Sequence, residues 1–291
     1  MTNAPPILIF GPTTSGKSAL ALKLAERENG LIINADSMQV YAELEILSAR
    51  PSRDDEARVP HLLYGFVPVC EAYSVARFVQ DAARAITEAQ AAGRRPIIVG
   101  GTGLYFKALL EGLSPVPAVN DAVRTHWRQM AEAHGAIALW QILTERDPVM
   151  AFRLDPNDGQ RIVRALEVID SSGCSLADWQ GQPGTPVIDA AVTEKLLLMP
   201  DRETLHARAD ARFDAMMRTG ALEEARALAT LGLDPTLPAY RALGVAPLIA
   251  AARDEIAIDV AVQRSKAETR QYIKRQMTWA KSNMMSWKCT S

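Results

Sequence analysis

Eight residues near the start of the chain limit its fold more than any other stretch. Gly11-Pro12-Thr13-Thr14-Ser15-Gly16-Lys17-Ser18 fits G-x-x-x-x-G-K-[ST] at every fixed position. Ile7-Leu8-Ile9-Phe10 before it is a continuous apolar run that reads as a buried strand. Ala19-Leu20-Ala21-Leu22-Lys23-Leu24-Ala25 after it reads as a helix. Strand, glycine-bearing turn and helix N-terminus in succession make an anion site, because the turn's N–H groups and the helix dipole both point at negative charge. Gly11 and Gly16 let the backbone curl, Lys17 adds a full positive charge, and Ser18 offers a hydroxyl for Mg²⁺. The motif says that a phosphate or diphosphate is gripped. It leaves the reaction open, since many chemistries use this cradle.

The 291 residues suit one large domain, or a domain with an insertion. The apolar runs are too short to cross a bilayer. No basic segment precedes the first of them, which is already the strand of the phosphate loop, so no membrane and a cytoplasmic location are expected. Cys70, Cys174 and Cys289 stand far apart, which speaks against a disulfide framework or a zinc site. The net charge of −2 argues against a uniformly basic nucleic-acid binder, but the charge is uneven. Arg264, Lys266, Arg270, Lys274, Arg275, Lys281 and Lys288 share their stretch with a single acid, Glu268. That pattern is either a surface for a phosphate backbone or a solvated helix face.

Residues 30–36 read as a second strand that Ser37 to Tyr41 continue. Parallel strands present their carboxyl ends to one crevice, where ligands bind, so Asp36 is expected beside the phosphate loop. A carboxylate there holds Mg²⁺, accepts a proton from a nucleophile, or simply shapes a turn. Residues 51–60 read as a charged loop, 62–66 as a short strand, 74–92 as a helix capped by Ser74, and 96–99 as a buried strand. Gly100-Gly101-Thr102-Gly103 then repeats the strand, glycine turn and helix design, with Thr102 as the polar group at the crevice. No acid ends this strand, so an ordinary Walker-B carboxylate is missing, which weighs against an ATPase motor or switch. From the connector at 112–117 to about residue 192 no strand is legible; helices are expected near 121–134, 136–146 and 157–172. A strand at 195–200, helices at 201–219 and 222–231, a turn-bearing loop at 237–244 and a basic helix from 259 to about 281 complete the chain. The expected class is α/β: a P-loop NTPase-like parallel sheet flanked by helices, formed by residues 1–117 and 193–291, with an inserted all-helical subdomain at 118–192.

Gly11 to Ser18, Asp36-Ser37-Met38-Gln39-Val40-Tyr41 and Gly100-Gly101-Thr102-Gly103-Leu104-Tyr105, in that order, resemble the tRNA dimethylallyltransferase (tRNA isopentenyltransferase) family. Asp158 to Val168, Arg212 to Met216 and Thr269 to Trp279 resemble its later blocks, so the likeness runs over nearly the whole chain. The resemblance implies transfer of the dimethylallyl group of dimethylallyl diphosphate to the exocyclic N6 amine of the adenosine 3′ to the anticodon, with release of diphosphate. The diphosphate is then held by Gly11, Pro12, Thr13, Thr14, Ser15, Gly16, Lys17 and Ser18. Arg212 joins them, although Arg208 lies one helical turn away. Asp36 is the implied base, with Lys17 and Thr102 as catalytic partners and Ser18 and Thr102 holding Mg²⁺. The implied tRNA contacts are Asp36, Ser37, Met38, Gln39, Thr102, Arg124, Gln160, Arg161, Ile162, Val163, Arg164, Arg241, Lys274, Arg275, Gln276, Trp279 and Lys281, with Trp279 either a stacking face or core. The helical insertion would clasp the anticodon stem-loop, and a monomer is expected. One departure stands out: where the family usually places an aromatic and a basic residue after a glycine, Gly244 is followed here by Val245-Ala246. The competing readings are an enzyme that prenylates free AMP, ADP or ATP, a small-molecule P-loop kinase, and a non-enzymatic RNA-binding protein.

Overall fold

The structure, a computed structural model, describes residues 4–290. The chain divides into a core unit, with residues up to Leu110 and from Val187 onward, and an inserted unit, Glu111–Pro186. The insertion thus begins before the connector at 112–117 and ends before residue 192. Gly112 packs on the backbone of Gly184 and Thr185, whereas the Val187 and Ile188 N–H groups bond to the Leu109 carbonyl in the core.

The first core segment holds β1 (Ile7–Phe10), α1 (Lys17–Arg27), β2 (Gly30–Asn34), α2 (Arg53–Arg58), β3 (His61–Leu62), α3 (Val75–Ala91), β4 (Arg95–Gly100) and α4 (Gly103–Glu111). The insertion holds α5 (Asp121–Arg146), α6 (Pro148–Arg153), α7 (Gly159–Ser172) and α8 (Leu176–Gln180). The returning segment holds β5 (Glu194–Leu198), α9 (Arg202–Arg218), α10 (Ala221–Thr230), α11 (Val245–Ala252), α12 (Ile258–Asn283) and β6 (Lys288–Thr290). No described helix is long and apolar enough to cross a membrane.

The strands form one parallel sheet in the order β3-β2-β4-β1-β5-β6. All four residues of β1 are fully buried, since both faces of the sheet are covered. Leu8, Phe10, Ile33 and Ile98 enter the larger core, while Ile7, Ile9, Ile32 and Ile97 pack with Ala21, Leu24 and Ala25 of α1. From β1 the chain departs towards β2; from β4 it crosses to β5 on the far side of β1. The carboxyl ends of β1 and β4 therefore flank a topological switch point, the place where open α/β sheets bind ligands.

The insertion has its own core of Trp127, Leu139, Leu143, Ile162 and Leu166. Gly135, at φ 75°, breaks α5 into the two helical stretches expected from the sequence. The Trp127 indole donates to Asp170 at 2.7 Å, and Asp170 also pairs with Arg146.

Several elements differ from expectation. β2 stops at Asn34; residues 37–40 bend and turn before Tyr41 makes an isolated parallel bridge with Val67. The charged loop at 51–60 contains α2, started by a Ser52–Asp55 capping box. β3 is only two residues long. The helix α11 was hidden because an apolar helix buried on nearly every side shows no amphipathic period. The edge strand β6 exists only through its pairing with β5, which no local pattern signals.

Candidate active site

The phosphate loop leaves β1 and curls through two residues of positive φ, Thr14 at 65° and Gly16 at 91°. Gly16 is the N-cap of α1 and brings no capping side chain, so the helix offers its first N–H groups to a ligand. Inside the loop the Ser15 hydroxyl is buried without a protein partner. The Lys17 ammonium donates to the Pro12 carbonyl at 3.4 Å. Burial pushes it down to about 8, against the pull of Asp36 and with the help of Arg212.

The turn after β2 is built by a fully buried side chain, Asn34. Its Oδ1 accepts the Asp36 N–H at 2.8 Å, and its Nδ2 donates to the carbonyls of Asp36 at 2.9 Å and Leu63 at 3.0 Å. The Asp36 carboxylate accepts the Met38 N–H through Oδ1 at 3.0 Å. This turn is pressed onto the one that follows β4. A Cβ at Gly100 would lie 2.0 Å from the Ala35 carbonyl oxygen, so the approach requires glycine. The Thr102 N–H donates to that same carbonyl at 3.3 Å. The Thr102 hydroxyl accepts the Ser37 N–H at 3.0 Å and donates to Ser37 Oγ at 3.2 Å.

Asp36 is the charge that organises the crevice. Burial holds the Arg212 guanidinium below its ordinary range, and Asp36 pulls it back up. Arg208, one turn earlier on the same face of α9, is exposed, whereas Arg212 lies deeper, beside the site. Burial, then the Asp36 charge, pushes up the phenols of Tyr64, Tyr105 and Tyr272, which therefore stay neutral around the carboxylate. One carboxylate is thus electrostatically coupled to two cations beside an anion-binding loop. Beside Ser18 opens a cavity of about 380 Å³ walled by Leu22, Ile32, Val99 and Tyr64, with Arg50, Arg58 and His61 around it.

Among the described residues no cluster of three or more His, Cys, Asp or Glu stands ready for a metal ion. The exposed Ser18 hydroxyl still fits Mg²⁺, which commonly takes most of its shell from water and substrate phosphates. Thr102 fits less well, because its oxygen already accepts the Ser37 N–H.

Other expected contacts are redistributed. Ile162 is fully buried, and the half-buried Val163 packs beside it on the insertion core. Gln276 is buried, with both ends of its amide bonded to backbone. The Gln39 amide donates to the Ser48 and Ala49 carbonyls, which pins a loop and leaves no N–H for a base edge. Met38 packs on the core. Trp279 lies 6.0 Å from Phe10 between ring centres and against Gly103, as part of the core. Val245 is buried, so this chain has neither a ring nor a charge at the surface there. Lys274, Arg275, Lys281, Arg241, Gln160 and Arg161 are exposed. Arg124, Arg161 and Arg164 pair within their helices with Asp121, Asp158 and Glu167. Asn34 was missed as a site residue; its signal was a lone amide at the end of an apolar strand.

A family model described as IPP transferase matches residues 39–283, and one described as isopentenyl transferase matches residues 6–60. The chain is 51% identical to the tRNA dimethylallyltransferase of Chelativorans sp. (strain BNC1), covering 94% of this chain and 93% of that one. It is equally similar, 51%, to that of Nitrobacter hamburgensis, over 99% and 91%. The chain belongs to the tRNA dimethylallyltransferase family. Among solved structures of such enzymes, it resembles the full-length tRNA isopentenylpyrophosphate transferase of Bacillus halodurans, with TM-score 0.69 and 30% identity over 98% of this chain and 89% of that one. It also resembles a eukaryotic dimethylallyltransferase captured acting on tRNA, with TM-score 0.74 and 27% identity over 95% and 70%.

Proposed function

We propose that this enzyme transfers the dimethylallyl group of dimethylallyl diphosphate to the exocyclic N6 amine of the adenosine 3′ to the anticodon of tRNA, and releases diphosphate. The observation that carries this reading is the electrostatic coupling of Asp36 to Lys17 and Arg212 beside the phosphate loop, in a chain that belongs to this family. As the allylic C–O bond breaks, negative charge gathers on the bridging oxygen and positive character on the carbon. The loop N–H groups, the Lys17 ammonium and the Arg212 guanidinium are fixed donors for that charge. Mg²⁺ held by Ser18 and the phosphate oxygens would supply further Lewis-acid stabilisation. The N6 amine is a weak nucleophile. It forms the new C–N bond and gives its proton to Asp36, whose Oδ2 takes no hydrogen bond from any described residue. Thr102 and Asn34 act by holding the turn that aims this carboxylate.

An adenine in an anticodon loop must be splayed out to reach the crevice. The exposed cations Lys274, Arg275 and Lys281 of α12 suit the RNA backbone. Arg161, Gln160, Arg164 and Arg124 give the insertion its own polar face for the anticodon stem-loop. Prenylation of free adenine nucleotides is the weaker alternative, because the isopentenyl transferase model covers only the phosphate-loop end of the chain. The test is a transfer assay with labelled dimethylallyl diphosphate and two acceptors, AMP and an anticodon hairpin. Label on the hairpin alone is expected; label on AMP alone overturns the reading.

A further inference from the structure

We infer that Gln276 is a positioning residue that ties RNA docking on α12 to the grip on diphosphate; the inference rests on the function proposed above. Gln276 lies on the buried face of α12 with Ile273 and Ala280. A buried primary amide must satisfy both its ends. Here Oε1 accepts the Thr13 N–H of the phosphate loop at 2.9 Å, and Nε2 donates to the Gly101 carbonyl at 2.8 Å. These two turns follow β1 and β4, the neighbouring strands that flank the crevice. One side chain therefore fixes the distance between them. A Cβ on Gly101 would lie 2.3 Å from Nε2, so this glycine admits the amide. The Thr13 N–H, given to Gln276, is withdrawn from anion binding.

The other side of the same helical turns carries Lys274, Thr278 and Lys281, all exposed. At 3.6 residues per turn these three lie opposite Gln276. A helix cannot move towards a phosphate backbone at Lys274 and Lys281 without carrying Gln276 with it. RNA contacts thus load the side chain that holds the phosphate loop to the Gly101 turn. The two ligands are then coupled, and the coupling is reciprocal.

Calorimetric titration of the full chain with inorganic diphosphate and Mg²⁺, with and without saturating anticodon hairpin, tests this. In the unmodified enzyme the hairpin is expected to tighten diphosphate by at least about fivefold. Gln276→Met fills the same volume without an amide; it should keep hairpin affinity within about twofold and lose the tightening. Lys281→Ala removes one of the contacts that load Gln276, so it should weaken the hairpin and also reduce the tightening at saturation. Gln276→Glu keeps an acceptor for Thr13 and lacks the donor for Gly101. Burial raises the new carboxyl above its ordinary range, so the variant should lose the tightening at about pH 8 and recover it near pH 5, where that carboxyl gains a proton. Should Gln276→Met not fold, as judged by its melting curve, the pH reversal in Gln276→Glu decides alone. Tightening that survives in the folded Gln276 variants overturns the inference. So does its absence in an unmodified enzyme that binds and prenylates the hairpin. An unmodified enzyme that labels no hairpin overturns the proposed function instead, and this inference with it.

Discussion

Alkaline pH should release diphosphate from this enzyme through one side chain. The Lys17 ammonium is pushed from 10.5 down to about 8, mainly by burial. A bound diphosphate brings negative charge to within contact of it and raises it again. Between the free and bound values, binding takes up one proton. Affinity for inorganic diphosphate should therefore be flat below about pH 7 and fall about tenfold per pH unit above about 8, giving a loss of about tenfold between pH 7 and pH 9. The stability of the ligand-free protein moves the other way. A lysine depressed by folding holds fewer protons in the folded state between about 8 and 10.5, so this group's contribution to stability rises with pH in that window. Calorimetric titration from pH 6.5 to 9.5 reads the binding, and thermal melts of the ligand-free protein show that lost affinity is not lost fold. Lys17→Ala should bind diphosphate more weakly and show no such step, which separates Lys17 from the ligand's own ionisation. A flat profile in the unmodified enzyme, or an identical slope in Lys17→Ala, refutes the reasoning.

Arg212→Ala should weaken diphosphate binding by about ten- to a hundredfold, the loss of one charge-assisted hydrogen bond of about 1.5–3 kcal/mol, whereas Arg208→Ala should stay within about twofold; the same titration reads both. Asn34→Ala leaves the Asp36 turn without its buried scaffold. It should cost about 2–3 kcal/mol in denaturant unfolding and slow single-turnover transfer more than it weakens diphosphate. If about six phosphates are engaged, affinity for an anticodon hairpin should fall about 10³-fold between about 50 and 200 mM salt. Lys281→Ala should make that slope shallower by about 0.9, and a flat salt response refutes the RNA face of α12.

The central strands and the phosphate loop were legible because they are local: an apolar run before a glycine turn and a helix after it. Gly135 and Ser74 marked their boundaries in the same way. What the sequence hid depends on distant partners. The Gly100–Gly103 turn reads like a second anion cradle, yet in the structure Gly100 makes room for Ala35 and Gly101 for Gln276. The family resemblance implied Gln276 as an RNA contact, but in the structure it faces inward and bonds a residue 263 positions away. The Gln39 amide bonds the carbonyls of Ser48 and Ala49, a loop closure that no local pattern announces. Arg208 and Arg212 share one face of α9 a turn apart, so only how far along the helix the crevice meets it decides between them.

Replacing the carboxylate at the end of β2 and following two quantities in parallel probes the mechanism most directly. Asp36→Ala should bind inorganic diphosphate at least as tightly as the unmodified enzyme, because an anion beside the ligand is gone. Its single-turnover transfer of the dimethylallyl group to an anticodon hairpin should fall by about 10²–10⁴-fold. Transfer at the full rate in that variant, with diphosphate still bound, would contradict a role for Asp36 in taking the proton from the amine.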